Sequence, residues 1–283
     1  MVHTLDYNTG VDTEKKGGND MFNKFFCPEG GSSAVSTASG KMPSMVRVYF
    51  PKRGTSHSYY NDSFELSCGD TVFVDGSLKG LQGRVVEVSR GFKIKLSDYR
   101  RVIAKADTLI RGELYSSVPY LYAFDNTVIP FEKVATWVMP PADEDEIYVR
   151  SYGGEKIPLD DLGSMNVTEE IARRGGDYYR NNAVLYIELN GKNGRAVVEG
   201  TRAYTVEFEL DGGVVTNLSC DCVCGFTCKH SVAALLQLRD AVKAVNEEFG
   251  AEYANSGYFA MILRGTLYEI AFSDRRNRRL TIG

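Results

Sequence analysis

The chain has 283 residues, 43% of them hydrophobic and 25% charged, an ordinary globular balance with apolar material for two modest domains. Its formal net charge of −4 excludes a protein that coats nucleic acid through uniform positive charge, so any contact with phosphates has to come from a local patch. No apolar run approaches the roughly 18 residues of a bilayer span, and Met1 to Asp20 lacks the basic and apolar regions of a secretory signal. No membrane association and a cytoplasmic, reducing setting are therefore expected, and there clustered cysteines bind metal more often than they pair.

Residues 1–44 read as a disordered leader. Gly17–Gly18, Gly30–Gly31 and the small polar run Ser32 to Gly40 offer little apolar surface against chain entropy, and Phe22, Phe25 and Phe26 form a small apolar island. An alternative reading starts the protein at Met45, where dense strand patterning begins.

Over residues 45–115, Val46, Val48 and Phe50 alternate with Arg47 and Tyr49, and apolar runs follow at Val72 to Val74, Arg84 to Val88 and Phe92 to Leu96. Gly69–Asp70, Asp75–Gly76, Gly80, Gly83 and Gly91 punctuate them, the pattern of a small antiparallel β-barrel. The stretch Gly69 to Val88, with Gly76, Lys79–Gly80 and Gly83 between two strands, resembles the KOW-type element of small barrels that contact RNA or protein. From Lys79 to Lys105 there are eight basic residues against two acids. Lys93, Lys95, Arg100 and Arg101, interleaved with Phe92 and Tyr99, are candidates to hold DNA or RNA by phosphate contact and base stacking; the other reading is a solvated barrel face.

Residues 116–165 read as a connector with β elements; they carry the single tryptophan, Trp137, then Pro140–Pro141 and the acidic run Asp143 to Glu146, which marks a boundary. Residues 166–248 open with a short helix, Val167 to Arg174, with Thr168 near its start and Gly175–Gly176 stopping it. A meander follows, turning at Asn190–Gly191 and Asp211–Gly212, and the strand Val214 to Leu218 delivers the chain to Cys220. After His230, Ala234, Leu235, Leu238, Ala241, Val242 and Val245 recur at helical spacing. Residues 249–283 read as C-terminal strands with a basic tail at Arg275, Arg276, Arg278 and Arg279.

Of six cysteines, Cys27 and Cys68 stand apart in sequence, while Cys220, Cys222, Cys224 and Cys228 crowd together beside His230. Thiolates and imidazole are the ligands zinc takes at tetrahedral corners. Two cysteines one residue apart at a strand end can turn toward one ion, Gly225 permits the return, and Cys228 with His230 supplies the second pair where the helix begins. A thiol redox pair is the competing reading, but its usual Cys-x-x-Cys spacing is missing. Cys224 is a fifth sulfur that either exchanges with Cys222 or stands by. A site closed by four protein ligands has no position for water, which argues for structure rather than catalysis.

The spacing Cys220-x-Cys222, five residues, Cys228-x-His230 resembles the SWIM zinc finger. The likeness extends to Arg174–Gly175, Asp177–Tyr178–Tyr179, Val198–Glu199–Gly200, Tyr204–Thr205–Val206 and Ser231 to Leu236, covering about residues 168–245. It implies a zinc-stabilised ββα-type SWIM domain with Zn2+ on Cys220, Cys222, Cys228 and His230, so that with the N-terminal small antiparallel β-barrel read from the strand pattern the expected fold is α+β. No phosphate-binding loop, nucleophile elbow or His-Glu-x-x-His motif is present, and His3 and His57 receive no role. The expectation is a non-enzymatic binding protein with no evident small-molecule substrate. Its partner is DNA or RNA, or alternatively a protein for which the zinc site only holds a scaffold.

Overall fold

The computed structural model describes residues 42–142 and 154–273; the leader apart from its last residues, the acidic run after Pro141 and the Arg275 to Arg279 cluster lie outside them. The chain is mixed α+β, built on two antiparallel sheets of five and eight strands.

The first sheet contains β1 (Ser44–Phe50), β2 (Thr55–Asn61), β3 (Thr71–Val74), β4 (Gly83–Ser89) and β5 (Val102–Lys105), in the order β2-β1-β4-β3-β5. Alternation puts Val46, Val48 and Phe50 inward, where they meet Val72, Val74 and Val85. Gly83 sits where these side chains converge: a Cβ there would lie 2.3 Å from Val48 Cγ1. The expected barrel does not close. Its edge strands β2 and β5 are joined by one isolated bridge, Tyr60 to Arg101, with the Tyr60 N–H donating to the Arg100 carbonyl at 2.9 Å. β5 pairs with β3 along one edge and runs no ladder with β2 along the other, so the two remain the ends of the sheet. Nor is Phe92 to Leu96 a strand. Val102, 3% exposed, fills the core position beside β3, which leaves Phe92 at 36% and Leu96 at 51% exposure on an open connection ending in a 3-10 turn, Leu96–Asp98.

The second sheet draws on the rest of the chain: β6 (Tyr115–Ser117), β7 (Tyr120–Ala123), α1 (Phe131–Val138), β8 (Ile157–Pro158), α2 (Glu169–Arg180), β9 (Val184–Asn190), β10 (Asn193–Glu199), β11 (Ala203–Asp211), β12 (Val214–Cys220), α3 (Lys229–Glu248), α4 (Gly250–Ser256), β13 (Tyr258–Leu263) and α5 (Arg264–Ser273). Its order is β6-β7-β13-β9-β10-β11-β12-β8. The two hairpins expected at Asn190–Gly191 and Asp211–Gly212 are present, with Gly191 and Gly212 at φ 58° and 56°, a region glycine enters without a Cβ clash.

Each face of this sheet has its own core. Ile187, Leu189, Ala196, Val198, Val206 and Phe208 meet Val232, Leu235, Leu238 and Val245 of α3. On the opposite face Tyr186, Val197, Ala260 and Ile262 pack with Val134 and Trp137 of α1 and Leu267 and Ile270 of α5. A buried carboxylate, Glu188, ties α1 down: it accepts the Phe131 N–H at 3.0 Å, the Tyr186 hydroxyl at 2.8 Å and the Arg195 guanidinium at 2.5 Å. That satisfies a backbone donor which Pro130, at the cap, cannot.

Two further expectations are not met. Gly175–Gly176 does not stop the helix; α2 runs through it to Arg180, and Gly175 forms the surface that receives α3. The segment after residue 249 is not a set of strands: β13 is flanked by α4 and α5. No helix among the described residues is long and apolar enough to cross a membrane.

Candidate metal centre

The junction between β12 and α3 assembles the site. Cys220 ends the strand, Cys228 is the N-cap residue of α3, and His230 lies in its first turn. Cys222 stands in the intervening loop, and Asp221 fixes the bend between the first two cysteines. The Asp221 N–H donates to the Thr205 carbonyl at 3.1 Å, and its carboxylate accepts the Thr205 N–H at 2.9 Å, which pins the bend to β11. Arg202 adds a hydrogen bond to the Asp221 carbonyl at 3.3 Å.

The ligand atoms of Cys220, Cys222, Cys228 and His230 all lie within 4.8 Å of one another. The His230 Nδ1 sits 3.8 Å from the Cys220 sulfur and 3.6 Å from that of Cys228. A tetrahedral ion with sulfur at about 2.3 Å and ring nitrogen at about 2.0 Å sets those atoms about 3.5 Å apart, so the donor set fits a small tetrahedral cation. Cys224 is exposed and is not one of the four converging residues.

The imidazole is held mainly by rings. Tyr204 stacks on it at 4.3 Å and 20°, and Tyr178 meets it edge-on at 5.4 Å. Metal-bound histidines usually donate their second N–H to an oxygen. Here Nε2 is buried with no hydrogen-bond partner among the described residues, and it faces Gly200, where a Cβ would come within 3.3 Å of it. Cations cover the outer faces of both tyrosines, Arg202 at 5.3 Å over Tyr204 and Lys229 at 5.0 Å over Tyr178. α2 approaches closely as well: a Cβ on Gly175 would lie 2.5 Å from Val232 Cβ and 3.1 Å from the Lys229 carbonyl.

Electrostatics single out one thiolate. A hydrogen bond from the Cys220 thiol holds Cys228 down to about 3, against burial and with help from His230 and Ser231. That same bond, together with burial, drives Cys220 far above the ordinary thiol range, and burial raises Cys222 to about 11. Three crowded sulfurs thus share one negative charge until a cation displaces the protons of the other two, and the N-terminus of α3 favours that charge at Cys228.

The four sequence-derived ligands are brought together. Lys93, Lys95, Arg100 and Arg101 are not part of this assembly; they are exposed on the five-stranded sheet and its β4–β5 connection. Arg101 is engaged internally, 2.8 Å from Asp62 and over the Tyr60 ring, whereas Lys93, Lys95 and Arg100 have no ion-pair partner among the described residues. Asp221, Tyr178, Tyr204, Gly175 and Gly200 support the site; in sequence they appear only as flanking residues, since their roles depend on what lies across from them in space. Compared with protein-family models, curated protein sequences and solved structures, the chain finds no match.

Proposed function

We propose that the chain is a non-enzymatic, zinc-dependent nucleic-acid-binding protein of the cytoplasm, built on a SWIM-type finger. The convergence of Cys220, Cys222, Cys228 and His230 where β12 meets α3 carries the reading. Two strands followed by a helix, with one ligand pair at the strand end and the other at the helix start, is the arrangement the ligand spacing calls for. Zinc suits three sulfurs and an imidazole, and four protein ligands leave no open position for substrate water. The ion's part is to clamp β12 to α3.

The nucleic-acid part rests on charge without counter-charge: Lys93, Lys95 and Arg100 lie exposed beside a half-exposed Phe92. Phosphate contacts of this kind weaken with salt. Full-length protein purified without chelator is expected to hold one zinc per chain by elemental analysis, lost in Cys228→Ser and kept in Cys224→Ser. Fluorescence anisotropy with a labelled 20-mer is expected to show tight binding at low salt, and Lys93→Glu/Lys95→Glu/Arg100→Glu to flatten the log–log salt slope by about two. A metal-free protein, or a charge-reversed variant that binds like wild type, refutes the respective half. A second reading, a protein-interaction adaptor, is favoured by Val223 and Phe226, which the loop between the ligands leaves exposed at 102% and 67%.

A further inference from the structure

The loop Val223 to Thr227 is an unusual piece of surface: it has no charge, and it carries Phe226 at 67% exposure and Val223 fully exposed, while the metal ligands Cys222 and Cys228 fix both its ends. A flexible loop that merely tolerates solvent would more ordinarily carry polar groups. This one presents a flat aromatic face from an anchored base.

Its surroundings are cationic. Lys229 follows the loop directly, and Arg174 precedes the glycine that touches the Lys229 backbone; neither has an ion-pair partner among the described residues. Arg202 lies over Tyr204 and is hydrogen-bonded to Asp221 at the loop's entry. The Asp221 carboxylate at the loop's entry is held by the Thr205 N–H, and on α2 and at the end of β10 acids are paired: Glu199 with Lys52, Glu170 with Arg173, and Asp177 with Arg173 and Arg180. Positive groups beside an exposed aromatic suit an unpaired nucleobase, whose ring stacks on the aromatic face while its phosphates meet the cations.

We infer that the metal-anchored loop is a base-stacking site for single-stranded nucleic acid, with Phe226 as the stacking group, Val223 beside it and Arg174 and Lys229 as phosphate contacts. This rests on the nucleic-acid reading above and adds a second contact to the Lys93 patch, along with a preference for unpaired strands. Duplex DNA keeps its bases stacked internally and offers Phe226 nothing comparable.

The chain contains a single tryptophan, Trp137, fully buried under the large sheet, so Phe226→Trp introduces a reporter over a steady background. Titration of that variant with an unlabelled single-stranded 20-mer is expected to quench its emission, and the matching duplex to do so far less. Phe226→Ala is expected to lower single-strand affinity about tenfold while keeping one zinc per chain. If Phe226→Trp emission does not respond and Phe226→Ala binds like wild type, the inference falls; a concurrent loss in Lys93→Glu/Lys95→Glu/Arg100→Glu would leave the broader reading standing. If wild type binds neither strand form at low salt, both fall, and the exposed loop belongs to the adaptor reading.

Discussion

The importance of single atoms is clearest at Gly175. A glycine inside a helix usually costs about 1 kcal/mol relative to alanine, so replacement would ordinarily stabilise. Here the added methyl would meet Val232 at 2.5 Å and the backbone between two metal ligands at 3.1 Å. Gly175→Ala is therefore expected to reverse the usual sign, lowering stability in urea denaturation by about 1–3 kcal/mol and weakening metal retention. A gain in stability would show that α2 does not press on the site. The four converging residues were legible in the sequence, because coordination chemistry is written in short spacings. Gly175 was not: its local signal is that of a helix stop, and only the approach of α3 gives it another meaning.

Between β12 and α3, the loop, the strand end and the first helical turn behave as one unit, because each supplies ligands to the same point. In the metal-free cluster the Cys220 and Cys222 thiols stay protonated at neutral pH while Cys228 is ionised. Binding of a dication with three thiolate bonds therefore displaces about two protons from sulfur. Zinc affinity is expected to fall about a hundredfold for each unit of acidification through the neutral range, and calorimetry in buffers of differing ionisation enthalpy would count the protons released. A pH-independent affinity would mean that the thiols do not bind as thiolates. The neighbouring hairpins were readable in advance because Asn190–Gly191 and Asp211–Gly212 encode their own geometry. The pattern at Phe92 to Leu96 misled for the opposite reason: alternation specifies a strand only if a core face is free to receive it, and Val102 had taken that place.

Taken whole, the molecule keeps its cores apart: Val46 to Val102 enclose one, and the two faces of the large sheet enclose the others. An overall charge of −4 coexists with an uncompensated basic patch, so composition constrained function only by forcing it to be local. The strand order was beyond sequence reading, because β13 reads as an ordinary apolar run with nothing to say which neighbours it will choose. Its position between β7 and β9 bears on how the protein is made. On a ribosome, β9 to β12 and the four converging Cys and His residues emerge before β13, so the proposed clamp can form while the sheet still lacks an internal strand. Until Tyr258–Leu263 arrives, β9 offers an apolar open edge, Val184 to Leu189, to any passing strand. A chain truncated after Gly257 is expected to take up zinc yet elute as aggregate from a sizing column; nascent chains would carry that same vulnerability until Tyr258–Leu263 has been made.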